Sequence, residues 1–286
     1  CLMKIINFEY IMKKIFLFMA AMVAFSANIF AANITKDVEV GNFTKIDVSY
    51  SFDITVVKSS EPSVTITIDE EYEPYLVVRV SHGVLLVGID SARLPNRLSK
   101  NLGNKVFEAE IGVKELSGLS MSGATSFYSD EVFEVLEFDG EFSGASNVKK
   151  LCVEAKEGDF DISGASKLNL NGVFDDCSLD ASGASNVYIE GKFGELDIDC
   201  SGASKIVMGG QTKSMDLDGS GASKIDGAKM VCETAVVDLS GASSATVEVV
   251  KYLEVDLSGA SKLYYNSSVG RLEVGDKSGG ASLKKR

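Results

Sequence analysis

The tetrapeptide Ser-Gly-Ala-Ser, or a near variant of it, begins at Ser122, Ser143, Ser163, Ser182, Ser201, Ser220, Ser240, Ser258 and Ser278. Successive copies are 18 to 21 residues apart. Nine copies at so steady a spacing leave few folds open to the chain. A period near 20 residues marks a solenoid, in which each repeat is one coil and packs only on its neighbours.

Aligning the copies on their first Ser separates inward from outward positions. One residue before it stand Met121, Phe142, Ile162, Ala181, Cys200, Gly219, Leu239 and Leu257. Three before it stand Leu119, Phe160, Leu179, Ile198, Leu217, Val237 and Val255. Apolar residues two apart describe a strand with one buried face. Five residues past the Ser, Phe127, Val148, Leu168, Val187, Ile206, Ile225, Ala245 and Leu263 open a second strand. The apolar spacing of three and four that a helix needs is missing. The expected fold is all-β: a single-stranded β-helix, or β-solenoid, over residues 119–286 with about 19–20 residues per coil.

The tetrapeptide itself reads as the corner between two strands. Gly123, Gly144, Gly164, Gly183, Gly202, Gly221, Gly241 and Gly259 would supply the positive φ of a sharp turn, and the Ala that follows fits inside the bend. Stacked Ser hydroxyls would bond to one another or to backbone between coils about 4.8 Å apart. No Ser is distinguished from its equivalents as a nucleophile, and His82 is the one histidine, so no Ser-His pair can be specified.

Outward positions carry carboxylates in columns. Two residues before each Ser lie Glu141, Asp161, Asp180, Asp199, Asp218, Asp238, Asp256 and Asp276, and a partial second column holds Asp139, Asp159, Asp197, Asp216 and Glu254. Charges about 5 Å apart repel by roughly 1 kcal/mol in water and several times more at lower dielectric. Lys167, Lys205, Lys224 and Lys262, four residues past the Ser, would relieve this if the corner brought the columns together. Calcium on Asp161, Asp180, Asp199 and Asp218 is the other candidate, because it favours hard oxygen ligands. No EF-hand loop or Gly-Gly-X-Gly-X-Asp nonapeptide occurs, so a solvated acidic face without a cofactor is the expectation.

Residues 33–118 lack the tetrapeptide but keep the strand character. Alternation over residues 44–57, 63–68 and 76–89 suggests three β segments, with turn-like stretches such as Ser59-Ser60-Glu61-Pro62 and Ser81-His82-Gly83, that cap the solenoid and cover its first edge. Residues 90–105, with Pro95, Arg93, Arg97, Lys100 and Lys105, read as an irregular basic loop. Residues 1–32 read as an over-extended start followed by a secretory signal: Lys13 and Lys14 precede an apolar run over residues 15–25 that ends in small residues at Ala27, Ala31 and Ala32. The run is shorter than the roughly 20 residues of a spanning helix, so the expectation is export to the periplasm or cell surface with no stable membrane span after cleavage.

Cys152, Cys177, Cys200 and Cys232 lie 9, 14, 18 and 12 residues past the preceding repeat Ser. Their registers differ, so no two stack in adjacent coils within the roughly 7 Å that a disulfide requires, and free thiols are expected. No Cys-X-X-Cys spacing suggests zinc. A net charge of -13 excludes nucleic acid as partner, since phosphate binding needs clustered Lys and Arg.

Two functional classes follow. Repetition without a distinguishable catalytic cluster points to a binding or structural module that contacts an envelope component, a glycan or a protein, with oligomeric state open. The alternative is a carbohydrate-active β-helix, a lyase or hydrolase, using stacked carboxylates and Lys as acid and base. Regular coils without cleft-building loops, and the absence of Trp, favour the first.

The run Gly41-Asn42-Phe43-Thr44-Lys45-Ile46-Asp47-Val48, the strand Val64-Thr65-Ile66-Thr67-Ile68, the segment Gly83-Val84-Leu85-Leu86-Val87 and the later tetrapeptides resemble the GIN-domain family of auto-transporter adhesin heads. The resemblance covers about residues 37 to 278. It implies a β-helical fold, export in Bacteroidetes-like bacteria and an adhesin role, and it brings no catalytic residues.

Overall fold

In the computed structural model, residues 33–100, 105–266 and 268–286 are described. The expected signal peptide lies outside them. The body is an all-β solenoid whose long strands are Asn147–Ile162, Lys167–Ala181, Asn186–Cys200, Lys205–Gly219, Lys224–Leu239 and Ser244–Leu257. Each strand is most of one coil, and each pairs in parallel with the strand of the next coil.

Register keeps equivalent residues above one another. Val187 stands between Leu168 and Ile206, and Ile198 between Leu179 and Leu217. Within Asn186–Cys200 the buried residues are Val187, Ile189, Phe193, Leu196, Ile198 and Cys200. The alternation changes parity once, between Phe193 and Leu196, while Gly191 keeps the inward register between Ile189 and Phe193 without sending a side chain into the core. These two places, with the tetrapeptide corner, divide each coil into three runs. The inward residues form one continuous core, in which Phe138, Phe160, Phe174 and Phe193 follow one another with ring centroids 5.8, 5.8 and 5.9 Å apart. Each such buried side chain contributes about 1.5–3 kcal/mol relative to exposure.

At the corner, the glycines from Gly123 to Gly259 have φ between 66 and 80°. The following Ala N–H donates to the glycine carbonyl of the coil before; Ala203 N–H reaches the Gly183 oxygen at 2.8 Å and Ala222 the Gly202 oxygen at 2.7 Å. A Cβ placed on Gly202 would lie 2.5 Å from the Gly183 carbonyl oxygen, which only a displaced backbone could accommodate. The second Ser of the seven copies from Ser143 to Ser258 is buried, as is Thr125 in its place in the first copy. Ser146 Oγ donates to Ser166 Oγ at 3.0 Å and Ser185 Oγ to Ser204 Oγ at 3.1 Å, while Ser243 Oγ turns to the Ser240 carbonyl at 2.7 Å.

The stacking begins before the first tetrapeptide. Strands Lys45–Val48 and Asp53–Lys58 run parallel to Gly118–Met121 and Ser126–Glu134. They meet at Tyr50, whose φ is 82° and whose carbonyl accepts from Ala124 N–H at 2.7 Å. Tyr50 thus heads the corner column in a place that every later coil gives to glycine. Its ring packs edge-on against Phe107 at 5.3 Å, a contact that helps hold an unfavourable backbone conformation.

Beyond this coil, Val84–Ile89 and Phe107–Val113 pair in parallel with Lys45–Val48 and Asp53–Lys58. The pairing then turns antiparallel: Leu76–Ser81 lies on Val84–Ile89, Ser63–Asp69 on Phe107–Val113, and Asn33–Val38 on Ser63–Asp69. Two of the three expected segments are therefore strand pairs. The first is split by the Tyr50 corner, and residues 76–89 form a hairpin whose turn, His82-Gly83, has φ of 51° and 78°. The basic loop also carries structure: Asn96–Ser99 is a helical turn, Leu94 and Leu98 are buried, and the Tyr72 hydroxyl donates to the Leu98 carbonyl at 2.8 Å. At the other end, Arg271–Lys277 and Ser282–Lys285 pair with the preceding coil and, among the described residues, with no later strand.

Among the described residues all four cysteines are unpaired, with Cys177, Cys200 and Cys232 buried and Cys152 half-buried. Burial pushes the Cys177 and Cys232 thiols up to about 12 and that of Cys200 to about 11. With a thiol reagent at pH 8 and no reductant, Cys152 should react first in the folded protein lacking residues 1–32, and four thiols should titrate after its denaturation; two or none would contradict the structure. For the corner, Gly202→Val should cost roughly 2–4 kcal/mol, combining strain at positive φ with collision against Gly183. The expected fall in melting temperature is about 5–15 °C, and an unchanged melt would refute the corner account.

Candidate functional site

The three sides of the coil present different chemistry. The run before each corner is acidic. Glu195, Asp197 and Asp199 point outward from one coil, and the pairing places Asp161, Asp180, Asp199, Asp218 and Asp238 in a single line. A further column, Glu157, Asp176 and Glu195, runs beside it and was not singled out by the repeat alignment. Partial burial, and then the charges of Asp199 and Asp161, hold the Asp180 carboxyl above its ordinary value. Asp218 is raised by burial and then by Asp199 and Asp216, and Asp197 by burial and then by Asp216 and Asp199.

Lys167, Lys205, Lys224 and Lys262 do not relieve this repulsion. They start the run on the far side of the corner, which turns their side chains away from the acids, and among the described residues none of them forms an ion pair. Lys205 instead places its Nζ 6.0 Å from the centroid of the Tyr188 ring. Among the described residues, no group of three or more His, Cys, Asp or Glu side chains is arranged to hold a metal ion. His82 sits in the cap hairpin, with its Nδ1 3.1 Å from Ser81 Oγ.

The run after the corner is polar and aromatic. A groove of about 370 Å³ crosses four coils there, lined by Asn169, Asn171, Tyr188, Glu190, Gly209 and Lys229 among others. It exists because Gly209 has no side chain: a Cβ there would stand 3.7 Å from Glu190 Cγ and 3.9 Å from Lys229 Cβ, with room between. A register shift against the next coil, between Val207 and Gly209, sets the Lys229 wall. Behind it, Gly172, Gly191 and Gly210 stack at a second corner where backbones touch, and Gly210 has a φ of 106°. Asn169 is tied down by donating its Nδ2 to the carbonyls of Val148 and Lys149 at 3.3 and 3.2 Å. The remaining side holds a hollow of about 480 Å³ where exposed Val173, Val231 and Val250 lie beside Lys192, Lys213 and Lys251.

The raised carboxylates carry a pH dependence of definite sign. A folded-state pKa above the ordinary value near 3.9 gives a contribution that is greatest below that value and is lost as pH rises through the folded-state pKa. The melting temperature should therefore rise as the pH is lowered from 7 toward the ordinary carboxylate range. Asp199→Asn, which removes the charge acting on both Asp180 and Asp218, should raise the pH 7 melt by roughly 1–3 °C, a small effect because the groups are largely solvated. It should also flatten that rise; a lowered melt would show that the column is held by something other than solvent.

Comparison with known proteins agrees with this architecture. No curated protein matches the sequence. Among solved structures, a putative adhesin from Parabacteroides merdae has 19% identity and a TM-score of 0.62, with 89% of this chain and 96% of that one covered. A putative adhesin from Parabacteroides distasonis has 16% identity and a TM-score of 0.63, covering 90% and 98%. A protein from the same species described as a putative lipid binding protein has 19% identity and a TM-score of 0.59, covering 88% and 94%. At these identities the likeness establishes the fold. Residues 42–190 and 173–268 match the family described as "Putative auto-transporter adhesin, head GIN domain", and the chain belongs to that family.

Proposed function

We propose that this chain is an exported, non-catalytic binding module of the cell envelope, acting in the periplasm or at the cell surface. The observation that carries the reading is the uniformity of the coils. From Ser122 to Ser278 each corner repeats the one before, and among the described residues no long insertion interrupts the stack to build a catalytic cleft. A catalytic group has to differ from its neighbours in environment, whereas Asp180 and Asp218, two coils apart, are both raised by burial and then by the charge of Asp199 between them. Of the corner hydroxyls, Ser146 pairs with Ser166 and Ser185 with Ser204 across coils, and His82, the one histidine, lies in the cap hairpin away from all of them. Family membership supports adhesion as the kind of binding, and the basic-then-apolar start supports export.

Two measurements test this. Expressed with its own leader, the protein should be recovered outside the cytoplasm with a new amino terminus near Ala27 to Ala32; an intact leader in the cytoplasm would refute export. The purified mature protein should show saturable retention on bacterial envelope fractions while releasing no products from polysaccharide substrates. Product release that Asp199→Asn abolishes would replace the module with an enzyme.

A further inference from the structure

We propose that the groove between Tyr188, Asn171 and Gly209 is a binding site for a short, neutral oligosaccharide. This rests on the binding-module reading and names its ligand class. The groove's volume, about 370 Å³, falls within the roughly 300–1,000 Å³ of small-molecule sites. Its length across four coils is three coil steps, or about 14 Å, which suits a few linked sugar rings better than a single small metabolite.

The lining selects the chemistry. Tyr188 is 43% exposed and gives an aromatic surface for the C–H face of a pyranose, with Lys205 flanking its ring. Asn171 carries a donor and an acceptor at one amide, the pairing that adjacent sugar hydroxyls require, and Asn169, whose Nδ2 is held by the Val148 and Lys149 carbonyls, adds its Oδ1 as an acceptor. Glu190 adds a carboxylate acceptor, and Lys229 on the opposite wall offsets its charge. An anionic ligand would gain one Lys and meet one Glu, while an apolar ligand would leave two exposed amides and two charges without partners. A neutral, polyhydroxylated ligand with one flat apolar face satisfies every group. Gly209 is what keeps the floor open, since its backbone does not require positive φ and its neighbours would admit a side chain.

The test is titration of the mature protein with maltotriose, cellotriose, mannotriose, xylotriose and chitotriose, followed by amide chemical shifts and calorimetry. At least one should bind, with shift changes centred on Tyr188, Glu190 and Gly209. Tyr188→Ala, Asn171→Ala and Gly209→Gln should each weaken binding about tenfold or more with unchanged melting temperatures, the last by filling the groove. Asp161→Asn, on the acidic side, should bind as the parent does. Absence of binding by all five sugars up to about 10 mM, or binding that survives both Tyr188→Ala and Gly209→Gln, overturns the assignment. Envelope retention measured on the same samples separates the two readings: retention without trisaccharide binding refutes the groove alone, and loss of both refutes the module as well.

Discussion

The structure depends on how closely the backbone of one coil approaches the next at the corner. The glycine carbonyl of each coil accepts the alanine N–H of the following one at 2.7–2.8 Å, at a φ that side chains resist, with no space for a Cβ. This contact sets the coil-to-coil register, and the register sets everything else. Inward, it brings Leu179, Ile198 and Leu217 into line and closes the core. Outward, it forces Asp180, Asp199 and Asp218 into line just as firmly, so their mutual repulsion is a consequence of the same hydrogen bonds that hold the fold together.

How much of this could be read from the chain depends on whether a feature repeats. The corner was legible because glycine has few substitutes at positive φ and so recurs nine times at nearly constant spacing. Tyr50 performs the same task with a residue that announces nothing, so the coil it heads was hidden inside what looked like one β segment. Within residues 76–89 the turn at Ser81-His82-Gly83 was legible from its composition, but alternation runs on through both sides of it and does not say that the two strands pair with each other. The second stack of glycines, at Gly172, Gly191 and Gly210, is too short to stand out.

The groove was illegible for a different reason. It is made by a missing side chain at Gly209 and by a one-residue slip in register beside it, neither of which has a signature in a single repeat. The expected pairing of corner lysines with the acidic columns failed because linear distance from the Ser, two residues before and four after, says nothing about the angle through which the corner turns the chain. Sequence periodicity thus describes the scaffold well. The places where the chain can do something specific are where periodicity lapses.

The two ends of the solenoid differ in a way that bears on tension. At the amino-terminal end, parallel coils give way to antiparallel strands that interlock residues far apart in sequence, such as Asn33–Val38 with Ser63–Asp69. At the other, Arg271–Lys277 and Ser282–Lys285 rest on a single neighbouring coil. A load applied at residue 286 would meet hydrogen bonds one after another, as in peeling tape, and would release about 20 residues of slack each time a coil let go. A load on the opposite end would act first on the six-residue ladder between Asn33–Val38 and Ser63–Asp69, and freeing that edge strand would leave Ser63–Asp69 still paired with Phe107–Val113 and the coils beneath it closed. Pulled from one end the chain would lengthen in coil-sized steps, and pulled from the other it would at first give up only an edge strand.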